Sequence, residues 1–154
     1  MDNPIIIRNA TYLDISNIVG FNNAMALETE GKTLDYITLK QGVSEVLSDP
    51  LKGFYLIAVF SGTVVGQLMI TSEWSDWRNG YFWWIQSVYV KPENRLHGIY
   101  RALNEEVLSL AKNNGNICGI RLYVDRDNTI AQRVYHNLGM STSNYDMYEI
   151  EFDQ

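Results

Sequence analysis

The run from Tyr81 to Val90 constrains this chain most. Every residue but Gln86 and Ser87 is aromatic or β-branched and none is charged, the pattern of a strand buried on both faces. Such a strand needs an apolar layer on each side, and Pro92 ends it. From Gly98 the period changes to that of a helix, with Ile99, Leu103, Val107, Leu110 and Ala111 on one stripe and Asn113-Asn114-Gly115 closing it. Ile117 to Val124 reads as the next strand.

The flanking sequence supplies the other layers. Ile5, Ile6 and Ile7 mark a strand from Pro4 to Arg8. Thr11 with Asp14 three residues later is an acidic variant of the capping box, opening a helix through Ile15, Ile18 and Val19 that is expected to fray around Ala26. Leu39, Val43, Val46 and Leu47 mark a second helix, stopped by Asp49-Pro50. Phe54–Phe60 and Thr63–Glu73 are apolar runs joined by Ser61-Gly62, a hairpin signal. Asn128 opens a last helix with Ile130, Ala131, Val134, Tyr135 and Leu138 inward and Gly139 after it. Tyr145–Phe152 is read as the final strand, with room for a short one near Met140. The fold class expected is α/β: a mixed sheet of six to seven strands, antiparallel in its first half, with about four helices, in one domain over residues 1–154.

Charge narrows the function. Twelve Lys and Arg against 18 Asp and Glu leave a net charge of −6, which argues against a nucleic-acid or anionic-membrane binder, since both need a cationic face. It suits a cationic or amine substrate. One cysteine, Cys118, forms no internal disulfide, is read as a small buried hydrophobe, and joins no Cys/His cluster that would hold a metal. Met1-Asp2-Asn3-Pro4 lacks the basic start of a signal peptide, and a cytoplasmic address is expected.

The segment Val90-Lys91-Pro92-Glu93-Asn94-Arg95-Leu96-His97-Gly98-Ile99-Tyr100-Arg101 carries the chemistry. The first turn of a helix presents unpaired N–H groups and the positive end of the dipole, so it can hold a phosphate. Gly98 lets a ligand approach the backbone, and Arg95 and Arg101 bracket the turn. The bland alternative is an ordinary strand–loop–helix with two surface arginines.

In context the segment resembles motif A of the GCN5-related N-acetyltransferases, through Val90-x-Pro92 and Arg95-x-x-Gly98, with Tyr100 standing where the family has Gly or Ala. Ile7-Arg8-Asn9-Ala10 with Asp14 and Ile18 is similar to the family's opening strand and helix. Asn128-x-x-Ala131-x-x-x-Tyr135-x-x-x-Gly139-Met140 is similar to its motif B, so the resemblance spans essentially the whole chain. It implies an acetyl-CoA pocket between splayed parallel strands, with no metal. Val88, Tyr89 and Val90 would pair with the pantetheine arm, and Arg95, Leu96, His97, Gly98, Ile99, Tyr100 and Arg101 would cradle the pyrophosphate. Asn128 would lie beside the pantetheine and Tyr135 near the thioester sulfur.

Acetyl transfer to an amine needs a proton removed from the ammonium and one supplied to the leaving thiolate. A phenol with pKa ~10 is protonated at neutral pH, so Tyr135 is the candidate acid, against a plain core aromatic. Several relatives carry Glu where Gln86 stands, and an amide cannot take a proton. The carboxylates left for the acceptor side are Glu28, Glu30, Glu73 and Asp76, with Glu28 leading, each against a solvated surface charge. Glu30, Glu73, Trp74 and Gln86 are the candidate acceptor-binding residues, Trp74 and Trp77 through cation–π contact. His97 is read as lending its backbone N–H, and His136 as a surface residue. The function expected is N-acetylation of a primary amine on a small molecule or peptide, by an enzyme that is a homodimer if it assembles. An idle acyl-CoA-binding module and a protein acetyltransferase are the competing readings.

Overall fold

A computed structural model describes residues 3–153; Met1 and Asp2, half of the N-terminal stretch just read, lie outside the described residues, as does Gln154. The chain divides into two compact units, Met1–Tyr123 and Val124–Gln154.

The first unit holds β1 (Ile5–Asn9), α1 (Ile15–Glu30), α2 (Tyr36–Ser48), β2 (Phe54–Phe60), β3 (Thr63–Ser75), β4 (Gly80–Val90), α3 (Ile99–Asn114) and β5 (Ile117–Leu122). The strands lie in the order of the chain; β1 to β4 are antiparallel and β5 runs parallel to β4. That is the mixed sheet expected. Parallel pairing of β4 with β5 follows from α3, which carries the chain back across the sheet between them.

Alternation sorts the strands into two cores. Leu56, Leu68, Ile70, Trp83 and Ile85 face Leu103 and Val107 of α3. Tyr55, Ile57, Val59 and Met69 face Ile18 and Val19 of α1 and Val43 of α2. Each fully buried Leu, Ile or Val contributes about 1.5–3 kcal/mol. The doubly apolar middle of β4 is thus explained by a helix layer on each side of the sheet.

Local signals hold up where a backbone requirement stands behind them. Ser61 and Gly62 both take positive φ, +50° and +74°, as a two-residue hairpin demands. Thr11 and Asp14 form the capping box. Asp14 also receives both terminal nitrogens of Arg8, at 2.7 and 2.8 Å, and the backbone N–H of Thr11 at 2.8 Å. Its side chain is buried, and the Arg8 hydrogen bonds, ahead of the opposing cost of burial, hold its carboxyl below the usual carboxylate range. The first helix does not fray at Ala26; it continues to Glu30 and stops at Gly31, in the left-handed region at φ +62°.

The second unit contains α4 (Thr129–Asn137), capped by Asn128, whose Oδ1 accepts from the Ala131 N–H at 3.1 Å. Ile130, expected inward, is exposed. Among the described residues the sheet has five strands rather than six or seven. Tyr145–Phe152, read as the final strand, has no ladder partner within its own unit, and a strand exists only through its partner. Cys118, expected buried, is exposed on β5, the last strand of the sheet. Among the described residues no helix is long and apolar enough to cross a membrane.

Candidate active site

The site begins with a defect in β4. Its register with β3 passes from Gln67↔Tyr89 to Met69↔Gln86, leaving an extra residue on β4, and Ser87 takes φ +51°. Such a bulge bends and twists the strand that carries it. Gln67, fully buried, holds it there: Nε2 donates to the Ser87 carbonyl at 3.0 Å and to Asn22 Oδ1 of α1 at 3.1 Å. The ladder between β4 and β5 runs from Tyr81↔Ile117 to Ile85↔Leu122 and ends there, while β4 continues to Val90. Beyond Ile85 β4 runs on without β5, whose last residue is Leu122. In the first unit no strand pairs with that edge of Gln86–Val90, so an extended ligand could add to it through main-chain hydrogen bonds, as the reading of Val88, Tyr89 and Val90 requires.

The turn at the end of this edge is open to a ligand. A single 3₁₀ turn over Pro92–Asn94 follows β4, and Leu96 and Gly98 both take positive φ, +64° and +81°. A Cβ placed on Gly98 would meet no protein atom within 4 Å, so glycine is favoured there by its φ and the space above it is clear. No side chain caps α3, whose first backbone bond runs from Ala102 N–H to the Gly98 carbonyl at 3.0 Å. The positive end of a 16-residue helix therefore faces this space. Leu96, His97 and Arg101 are exposed, whereas Ile99 is buried in the α3 core. Tyr100 packs against that same core, which accommodates the aromatic where the resemblance has Gly or Ala.

Arg95 is held from several sides. Its Nε donates to the Val90 carbonyl at 2.9 Å, one terminal nitrogen bonds both oxygens of Glu28 at 2.8 and 3.0 Å, and its guanidinium lies 5.6 Å from the Tyr89 ring centre. Arg95, one of the two arginines that bracket the phosphate turn, and Glu28, the leading base candidate, are thus one ion pair. Glu28 raises the Arg95 pKa further, through its hydrogen bond first.

The other acceptor candidates separate. Glu73 and Gln86 share the α1/α2 face of the sheet; Gln86 Nε2 donates to Thr71 Oγ1 at 2.6 Å. Glu73 accepts from Arg121 at 2.8 Å and from Trp84 Nε1 at 3.3 Å. Trp74 stands on the opposite face, edge-on to Tyr81 at 4.9 Å, so it does not join Glu73. Glu30 is exposed beside Lys32, Asp76 accepts the Trp77 N–H, and Trp77 is exposed. Sequence reasoning missed Arg121, although a lone cation within the apolar run of Ile117–Val124 was a legible signal.

Asn128, Ala131 and Tyr135 share one face of α4, three and seven residues apart. Asn128 spends its side-chain oxygen on the helix cap. Burial holds the Tyr135 phenol above its ordinary pKa, so the hydroxyl stays protonated at neutral pH.

The chain is similar along nearly its whole length to a possible acetyltransferase from Clostridium difficile 630, with 45% identity, a TM-score of 0.90, and 97% of this chain and 99% of that one covered. Two more distant crystal structures share the fold. One is a predicted acetyltransferase from Clostridium acetobutylicum with acetyl-CoA, at 21% identity and TM-score 0.77, with 96% of both chains covered. The other is an aminoglycoside N-acetyltransferase in complex with CoA, at 15% identity and TM-score 0.80, covering 98% of this chain and 97% of that one. No curated protein matches the chain closely enough to count as a relative. The model of the acetyltransferase (GNAT) family matches residues 21–140, from within α1 to just beyond α4, and the chain belongs to that family of acetyl-CoA-dependent N-acetyltransferases.

Proposed function

We propose that this protein transfers acetyl from acetyl-CoA to a primary amine of a small molecule or peptide by direct attack, as one catalytic domain over the whole chain. The observation that carries the reading is the edge of β4 from Gln86 to Val90, unpaired by any strand among the described residues, leading into the open, uncapped turn at Gly98. An edge of main-chain donors and acceptors suits an amide-bearing arm, and a helix N-terminus flanked by Arg95 and Arg101 suits a pyrophosphate. Acetyl-CoA supplies the activated acyl group. The chain's own residues bind it, orient it and move protons.

Val88 and Tyr89 offer the backbone for the arm; the Val90 carbonyl is already engaged by Arg95. The turn from Arg95 through Leu96, His97, Gly98, Ile99 and Tyr100 to Arg101 takes the phosphates, and Asn128 flanks the arm. Tyr135 gives its proton to the departing thiolate, a role supported by the protonated state that burial enforces. Glu28 begins removal of the ammonium proton. Its carboxylate is paired with Arg95, and a pyrophosphate competing for that guanidinium would release it. Glu30, Glu73 and Gln86 border the acceptor, with Trp74 less suited because it lies on the other face. The acidic composition and single cysteine support a cytoplasmic address, and the homodimer stays part of the reading.

The test is thiol release from acetyl-CoA across a panel of amines and basic peptides, together with thermal unfolding in the presence of CoA. Turnover with a small amine supports the reading. A melting shift with CoA but no turnover with any amine assigns an idle binding module instead, and preference for peptides assigns a protein acetyltransferase.

A further inference from the structure

We propose that Arg121 reads a carboxylate on the acceptor, so the acceptors are amines that also carry a carboxylate, such as amino acids, rather than polyamines. The inference rests on the acetyl-transfer reading above and names the substrate class for that site.

Place comes first. Arg121 pairs with Trp84 in the β4–β5 register, one residue before the last pair, Ile85↔Leu122. It therefore stands at the end of the ladder, where β4 runs on without β5. Its partner Glu73 and the neighbouring Thr71 and Gln86 share the α1/α2 face, opposite α3 and its phosphate turn. An amine approaching the end of that ladder from this face passes Arg121.

Arg121 is also built to present a fork. Its guanidinium lies 3.5 Å from the Phe82 ring centre, the close approach of a stacked cation. Phe82 is seated on β5 because residue 119 is glycine; a Cβ there would come within 2.5 Å of the ring. One hydrogen bond to Glu73 then fixes the plane, and a guanidinium carries five N–H donors in all, so several remain for a second oxyanion.

Charge favours an anion at this place. Arg78 lies 4.9 Å from the same Phe82 ring, so two guanidinium groups attend one ring, and Glu73 bonds one of them, Arg121. Glu73 is itself engaged at both oxygens, by Arg121 and by Trp84. Trp84 and Tyr123, stacked with centres 4.5 Å apart, give the region an aromatic wall. A planar carboxylate matches a planar fork, whereas the second ammonium of a polyamine would be repelled.

The experiment compares acceptors that share an amine and differ in the carboxylate: lysine against 1,5-diaminopentane, and phenylalanine against its methyl ester and phenethylamine. The wild-type kcat/KM should favour the carboxylate-bearing member by about 10-fold or more. Arg121→Gln should bring the ratio near one with the KM for acetyl-CoA unchanged. Glu73→Gln should widen the ratio, because the fork loses its competing carboxylate. A purely structural role predicts losses of the same sign in both variants and for all acceptors. Calorimetric binding of each acceptor to enzyme saturated with CoA reads the same preference without turnover. Carboxylate-dependent binding with no transfer keeps this proposal and removes the catalytic reading. Wild-type preference for the carboxylate-free amines, or an equal loss for both members in Arg121→Gln, overturns it.

Discussion

Glu28 and Arg95 lie 67 residues apart in the sequence and 2.8 Å apart in the structure, joining the last turn of α1 to the loop that follows β4. The contact links the carboxylate proposed for the acceptor to the cation proposed for the cofactor, so a change in either should register on both. Arg95→Ala should raise the KM for acetyl-CoA about 10-fold with a smaller effect on kcat, as loss of one charge-assisted hydrogen bond does. Glu28→Gln should flatten the limb of the pH–rate profile that rises with pH. Steady-state kinetics between pH 5 and 9 check both, and an unchanged limb would move the base to Glu30, Glu73 or water.

Tyr135→Phe keeps the ring on α4 and deletes only the hydroxyl. If that hydroxyl protonates the leaving thiolate, kcat should fall by ~10²–10⁴ while acetyl-CoA affinity changes little. Burial raises the Tyr135 pKa, so the proton should be lost only above the ordinary phenol value of about 10, and activity should not decline for this reason below it. A variant as active as the parent returns Tyr135 to simple packing.

Gly98→Ala tests the turn. The substitution meets no protein atom but must sit at φ +81°, where a side chain costs about 1 kcal/mol. The apparent affinity for acetyl-CoA should drop more than stability does, because the added methyl stands in the space left for the phosphates. In the parent, acetyl-CoA at ~100-fold above Kd should stabilise the fold by ~2.7 kcal/mol, seen as a raised Tm, and the variant should show less at the same concentration.

Asp14 makes stability depend on pH. Its carboxyl is held low in the folded state, first by Arg8, so its contribution is present above the unfolded value of about 3.9 and is lost as pH falls through the lower folded value. Asp14→Asn should cost about 2–3 kcal/mol at pH 7, because a buried carboxylate bonded to Arg8 and the Thr11 N–H is replaced by an amide. Urea unfolding of parent and variant should converge below the folded pKa. A pH-independent difference would assign the loss to packing alone.

What the sequence determined by itself was whatever depends on near neighbours. Tyr81–Val90, the Ser61-Gly62 hairpin, the Thr11–Asp14 box, the stripe of α3 and the Asn128 cap follow from periodicity and backbone requirements acting over a few residues. The motif around Arg95 and Gly98 was legible for the same reason, since a positive φ and a helix start are local. Tertiary structure alone decided who meets whom. The bulge at Ser87 exists because Gln67, twenty residues earlier, holds its carbonyl. Glu28 and Glu73 read as solvated acids in the chain, yet each is held by an arginine 67 or 48 residues away. The same distance hid Trp74's orientation, because the face it takes depends on the register of β3 against β4. The composition of Tyr145–Phe152 did not suffice for a strand, because its ladder partner is a property of the fold and not of the segment. Ion pairs and strand register are set by loop closure over tens of residues, and no short window of sequence carries that information.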